Sequence, residues 1–368
     1  MGLGLARLLL ALAGGGVLAL DRADKARAAL ALSAVLLLRS LEDLSVQTGG
    51  VYLERAGECH ERFTPERWHS FAMDTGAFRD AMAPIDWVRL FYDHGFNATP
   101  GWSAMARPLV DGPISRERVT WVKTLDIALM AGVLALLGWA FGAPTMGLAA
   151  LIVAVGWPWE VGYTVGSMAR YPWLITLVGS VALTRKGWPL VGGILLALSC
   201  QLRVFPALFV AGPALALFFG GGERRSAARF LGGLGLGLIG GLASSLAVLG
   251  PELHQEFIGH IQRHHGNISM NSMGLGIPLA FPLSTGGVWT EGAVATTMGT
   301  LSRLLGLGGG LAMLVLMARR AQAWPLWRLL AAGILLPMTL LNMGSYTGSS
   351  PCWRRSWPLP PGSTPCSA

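Results

Sequence analysis

Two acidic residues, Glu42 and Asp43, stand side by side where an apolar run ends. A carboxylate at the edge of an apolar medium is partly desolvated, which raises its pKa toward the range where it accepts a proton from a substrate hydroxyl. The alternative is plainer: acidic residues also end apolar runs simply by being soluble. Two cations lie at the ends of later apolar runs. One is Arg170, in Arg170-Tyr171-Pro172, and the other is Arg203, in Gln201-Leu202-Arg203-Val204-Phe205-Pro206. An arginine near membrane depth is costly, so it either snorkels or serves a function, and a lipid phosphate is its natural partner. Glu160 stands close enough in sequence to neutralise one of them. A third group is His260, His264, His265 and Asn267, with Arg263 among them. His260 and His264 are four apart and share one face of a helix. Their readings are phosphate contact at an interface, or structural histidines.

The elements that must position these residues are apolar. Of 368 residues, 52% are hydrophobic and 13% charged, and the mean hydropathy is +0.51. A soluble domain carries about 25% charged residues, so the fold expected is all-α, a polytopic membrane helical bundle. Apolar runs cover 3–20, 28–41, 124–142, 144–158, 171–184, 187–202, 204–220, 229–250, 301–318 and 324–343. Several fall short of the roughly 20 residues a span needs, and the expected count is about 9–11 membrane segments. The organisation read from this is N-terminal segments at 1–41, a polar loop at 42–123, a bundle at 124–250, a second loop at 251–300, and C-terminal helices at 301–343. The tail at 344–368, which holds five prolines, reads as disordered or as sequence that has left its frame.

Charge orients the bundle. The chain carries a net +8, and basic turns recur at Arg185-Lys186, Arg224-Arg225 with Arg229, and Arg319-Arg320. The positive-inside rule makes these turns cytoplasmic and leaves no reason to invoke nucleic acid. Counting back puts Tyr171 and Glu160 outside, residues 142–144 inside, and the 42–123 loop outside. Counting forward puts Arg203 and 251–300 outside. The candidate residues thus gather on the non-cytoplasmic face. The localisation expected is a multi-pass plasma (bacterial inner) membrane, since arginine far outnumbers lysine in an Ala-, Gly- and Leu-rich chain.

The first loop holds twelve of the 20 acidic residues. Its Trp68, Phe71, Phe78, Met82, Ile85 and Trp87 fall at roughly helical spacing, which predicts amphipathic interfacial helices. Asn97-Ala98-Thr99 and Asn267-Ile268-Ser269 match glycosylation sequons by pattern alone. Gly233, Gly237 and Gly241 form a small-x3-small stripe suited to close helix packing. The cysteines at 59, 200, 352 and 366 show no metal or redox spacing. The sequence requires no cofactor, and a divalent metal has no ligand pattern behind it. His260-x3-His264-His265 resembles one histidine box of the membrane di-iron desaturases. Those families use several boxes, and the histidines at 60, 69 and 94 are scattered.

The order of features resembles the multi-spanning glycosyltransferases of the GT-C type, especially the group that uses polyprenyl-phosphate mannose. The resemblance rests on the acidic pair after an early span and the large outer loop that follows. It continues through Ala169-Arg170-Tyr171-Pro172 and the stretch from Arg185-Lys186-Gly187 to Gln201-Leu202-Arg203-Val204-Phe205-Pro206. The segment from His264 to Gly274 adds to it. The resemblance implies a polyprenyl-phosphate sugar donor, a lipid or glycan acceptor, and inversion at the anomeric carbon. It implies Glu42 or Asp43 as base, with Arg170, Tyr171, Arg203 and the His260, His264, His265 and Asn267 group holding the phosphate. The alternatives are a non-catalytic membrane protein and a lipid or small-solute transporter. Asp126, near the start of an apolar run, is the acid closest to a span interior.

Overall fold

The computed structural model describes residues 37–39, 46–48, 64–81, 98–110, 116–155, 171–265, 272–273, 293–340 and 343–344. The chain divides into two compact units, one of Met1–Asn97 with His260–His264, the other of Ala98–Gly259 with His265–Ala368. The described residues are all-α apart from two short antiparallel ladders.

In the first unit, strand β1 (Leu37–Arg39) pairs antiparallel with β2 (Val46–Thr48), Leu37 opposite Thr48 and Arg39 opposite Val46. The apolar run at 28–41 therefore does not reach Glu42 as a helix. β-Branched Val46 and Thr48 favour a pleated partner, and Leu37–Arg39 pairs with it. Helix α1 (Pro65–Ala81) follows Thr64, whose Oγ1 accepts the N–H of Arg67 at 3.3 Å. This helix is not amphipathic as expected. Met73 lies about 200° around the axis from Phe71 at 100° per residue. Both are exposed, together with Arg67 and His69.

The second unit begins earlier than the expected loop boundary. Helix α2 (Pro100–Val110) lies inside the stretch read as polar loop, and α3 (Arg116–Phe141) starts before the apolar run it contains. Then come α4 (Ala143–Val155), α5 (Pro172–Arg185) and α6 (Pro189–Leu202). Prolines at the start of α5 and α6 supply the preset φ and missing N–H that suit a first helical turn. The expected single run at 204–220 is broken into a 3-10 turn, Phe205–Val210, and α7 (Ala211–Phe219). Pro206 and Pro213 fall in the first turns of the two pieces, where a proline is tolerated. Helix α8 (Arg224–His265) runs through the expected boundary at 250 but bends there: Gly250 adopts φ 78° and precedes Pro251. A left-handed residue followed by proline cannot continue the hydrogen-bond ladder. Strand β3 (Ser272–Met273), α9 (Ala293–Arg320), α10 (Leu326–Ala332), α11 (Leu335–Leu340) and β4 (Met343–Gly344) complete the unit, with β3 paired to β4. The run at 324–343 is split because Pro337 has no N–H to give Gly333.

Small residues let α6 and α8 touch along their length. A Cβ on Gly193 would collide with the backbone of Phe230, and one on Gly233 with the backbone of Leu190. Gly237 meets Ala197, and Gly241 meets the Gln201 side chain. The small-x3-small stripe thus seats α8 on α6 with the two helices running the same way. Beside that seam, Leu196, Phe230, Met317, Leu329 and Leu330 close the main core at 0–1% exposure.

Among the described residues, two helical stretches are long and apolar enough to cross a membrane: Thr120–Phe141 and Gly221–Gly259. Only 22% and 17% of their apolar windows are buried. The core helix of a water-soluble domain would be mostly buried, and large exposed apolar surfaces mark contact with lipid or a partner. Helix α4 has no buried residue, with Leu148, Leu151 and Ile152 all exposed. Helices α5 and α6, of 14 residues each, reach about 21 Å at 1.5 Å per residue, short of the roughly 30 Å hydrocarbon layer.

Candidate functional site

A group of polar side chains in the second unit, Asp126, Ser199, Gln201 and Arg203, lies at the end of the bundle where α5 begins and α6 ends. Tyr171 precedes Pro172 at the α5 N-terminus and is 2% exposed, packed with Met130 and Val133. Its backbone N–H is one of the donors a helix start leaves without an intrahelical acceptor. Asp126 accepts it through Oδ1 at 3.2 Å. Asp126 lies on α3, three turns after Arg116, and is 1% exposed. A carboxylate beside a helix N-terminus is favoured by the partial positive charge there, which helps offset the cost of burying it in an apolar helix.

The α6 side of this end is tied to the α5 side by polar and aromatic contacts. Ser199 Oγ donates to the Trp173 carbonyl at 2.8 Å. The rings of Trp173 and Phe205 meet edge-on with centroids 4.9 Å apart. Between them the chain turns extended at Arg203, whose N–H reaches the carbonyl of Ser199 and whose side chain is half-buried. Among the described residues no carboxylate or other polar group pairs with its guanidinium. Tyr171 and Arg203 are therefore brought to one end of the bundle.

Helix α2 closes over the same end. Thr99 caps it, its Oγ1 accepting the N–H of Trp102 at 3.2 Å. The same hydroxyl donates to the Gln201 carbonyl. The threonine of the first sequon pattern thus has an internal task and is 6% exposed. The Gln201 side chain goes the other way, its Nε2 donating to the Gly237 carbonyl at 2.9 Å. A Cβ at Gly101 would strike Gln201 from α2, and one at Gly241 would strike it from α8. Gln201 is a polar pin through three helices, the kind of interhelical hydrogen bond used where water is absent.

Two further links hold the bend of α8. Arg107 Nη1 donates to the Val248 carbonyl at 2.8 Å, serving one of the orphan acceptors of a helix end. His254 spans the bend, with Nδ1 2.8 Å from the Gly250 carbonyl and Nε2 2.9 Å from Ser245 Oγ.

Of the residues singled out in the sequence, Glu42, Asp43, Arg170 and Asn267 lie outside the described residues. His260, His264 and His265 fall within the last turns of α8, on helical backbone. Asp126, Thr99, Ser199, Gln201 and His254 were not read as site residues. For Asp126 the signal was available: an ionisable residue inside an apolar run. Thr99 and Gln201 gave none, because their role comes from helices more than 30 residues away in sequence.

At this end the chain turns extended at half-buried Arg203, the Trp173 and Phe205 rings make an apolar contact, and the buried Asp126 carboxylate holds the start of α5. No protein-family model, curated protein or solved structure matches the chain.

Proposed function

We propose that the chain is a multi-pass membrane protein of the plasma membrane that transfers a sugar, a hexose such as mannose, from a polyprenyl phosphate to a lipid or glycan acceptor. The end that carries Tyr171 and Arg203 faces the non-cytoplasmic side. Arg203, with Arg170 beside Tyr171, holds the phosphate, and the leaving polyprenyl phosphate is stabilised there as negative charge develops. Glu42 or Asp43 takes the proton of the acceptor hydroxyl. The acceptor oxygen attacks the anomeric carbon as the bond to the donor phosphate breaks, and configuration inverts. No nucleotide-binding fold is required, because the donor is a lipid.

The observation that carries this reading is Asp126 accepting the N–H of Tyr171. It anchors the start of α5, which directly follows Arg170 in the sequence, to a helix long and apolar enough to cross a membrane, at the end where Arg203 also emerges. The test is transfer by the purified full chain from a radiolabelled polyprenyl-phosphate sugar to membrane lipids. General-base loss costs about 100- to 10,000-fold in rate, so Glu42→Gln or Asp43→Asn falls by that much while donor binding is retained. Arg203→Gln instead weakens donor binding. Equal transfer by both carboxylate variants removes the base assignment. Absence of both transfer and donor binding in the wild type removes the enzyme reading.

One observation favours a second reading, a lipid or small-solute transporter. Asp126 is a buried carboxylate within a membrane-crossing helix, and such residues mark transport pathways. Uptake or flipping by reconstituted protein, lost in Asp126→Asn without any sugar transfer in the wild type, supports that reading over the first.

A further inference from the structure

The opposite end of the bundle is a concentrated cation site that the proposed transfer does not use. Arg185 closes α5 with its guanidinium 4.6 Å from the Phe141 ring centroid and 4.7 Å from that of Trp327. Those two rings meet edge-on at 5.4 Å. The Lys186 ammonium sits 4.9 Å over Trp139, and the Arg328 guanidinium 5.3 Å from Trp327. All three cations are exposed. Among the described residues no carboxylate pairs with any of them. The seam between α6 and α8 brings more charge toward the same end: Gly233 lies against Leu190 and Gly241 against Gln201, so α8, which starts at Arg224, carries Arg224 and Arg225 past the start of α6. Arg319 and Arg320 close α9 just before Trp327, the Arg320 carbonyl accepting the N–H of Trp324 at 2.9 Å.

Ring faces hold a flat guanidinium while leaving its N–H edges free for two-pronged contact with a phosphate. The ligand must be anionic to offset unpaired cations. It must also tolerate an apolar surround, since Trp139 and Trp188 are 53% and 61% exposed and the adjoining α4 has no buried residue. A nucleic acid satisfies the first demand and not the second. We propose that the end formed by Arg185, Lys186, Arg328, Phe141, Trp139 and Trp327 binds the phosphate headgroup of an anionic phospholipid. The proposal rests on the membrane reading above but not on the sugar transfer. It assigns this end to the leaflet whose phosphatidylglycerol-type headgroups meet the basic turns, with the rings at headgroup level.

The test uses the full chain purified in neutral detergent and exposed to equal amounts of phosphatidylglycerol and phosphatidylcholine, followed by quantification of the retained lipid. Each cation near such a headgroup is worth about fivefold, so the wild type retains phosphatidylglycerol over phosphatidylcholine by about tenfold or more. Arg185→Gln with Arg328→Gln brings that ratio close to equality, and Lys186→Gln alone lowers it partway. Millimolar inorganic phosphate leaves the bound lipid in place. Equal retention of the two lipids by the wild type overturns the proposal. So does a preference unchanged in the double variant, or displacement by inorganic phosphate, which would make this a site for the free anion. These wild-type arms decide the matter even where the double variant does not fold. Retention of neither lipid overturns this proposal together with the membrane reading, whereas equal retention overturns this proposal alone.

Discussion

Asp126 and Tyr171, 45 residues apart, are joined by a hydrogen bond from the Tyr171 backbone N–H to Asp126 Oδ1 at 3.2 Å. Both are almost fully buried, at 1% and 2% exposure. The bond fixes where α5 starts relative to α3. Asparagine keeps an acceptor oxygen of the same reach; alanine leaves the Tyr171 N–H without this acceptor. Leaving a buried donor unsatisfied costs about 1–3 kcal/mol. Asp126→Ala is therefore expected to lower the thermal midpoint in detergent clearly more than Asp126→Asn. Equal losses in the two variants would show that the carboxylate does not act through this acceptor.

Glycine substitutions separate the α6–α8 seam from the surface of α8. Gly193 faces the backbone of Phe230, which cannot swing aside as a side chain would, whereas an added Cβ on Gly235 meets open space. Overpacking costs about 1–3 kcal/mol, while replacing an exposed helical glycine by alanine gains up to about 1 kcal/mol. Gly193→Ala is expected to destabilise and Gly235→Ala to be neutral or stabilising. Both are read from melting of the purified protein under one set of conditions. A stable Gly193→Ala protein would mean that the two helices do not approach this closely.

These two cases show what was legible in the sequence and what was not. The helical character, the small-residue stripe and the clustering of basic turns follow from periodicity and composition, because each is a local pattern. The ends of the helices were less legible. Residues 100–110 read as loop because their polarity matched the loop around them, yet Thr99 caps a helix there and Gln201 receives it. The apolar run read as ending at 250 meets a bend at Gly250 and Pro251, and α8 resumes after it rather than giving way to loop. Asp126 was visible as an acid in an apolar run, and its task was not. The acceptor for the Tyr171 N–H is decided by which helix lies against the α5 start.

One of the two links that hold the bend of α8 is His254. His254 Nδ1 lies 2.8 Å from the Gly250 carbonyl and Nε2 2.9 Å from Ser245 Oγ, a hydroxyl that also donates to the Leu242 carbonyl at 3.1 Å, so one side chain bridges the two halves of the helix. A hydrogen bond of this kind contributes about 0.5–1.5 kcal/mol. Ser245→Ala and His254→Ala should each destabilise, and the double variant should lose less than the sum by about that amount, as contacting residues couple. Additive losses would show that the two side chains do not act together.

Orientation is open to direct measurement, because the two ends of the bundle carry exposed side chains suited to labelling. Trp188 lies beside the basic turn and is 61% exposed, while Val204 follows Arg203 and is 46% exposed. In a chain whose native cysteines are replaced by serine, Trp188→Cys and Val204→Cys provide one reporter at each end. The basic turns belong on the cytoplasmic side under the positive-inside rule. A membrane-impermeant thiol reagent added to intact cells should therefore label Cys at 204 and not at 188, and permeabilised cells should show both. The arginines at 185, 224, 225, 319 and 320 come from separate connections yet converge on one end, so reversing the orientation would place all of them against the rule at once. Labelling of position 188 alone from outside would invert the topology and remove Arg203 from the non-cytoplasmic face. Labelling of both positions in intact cells would mean that α6 does not separate two aqueous compartments.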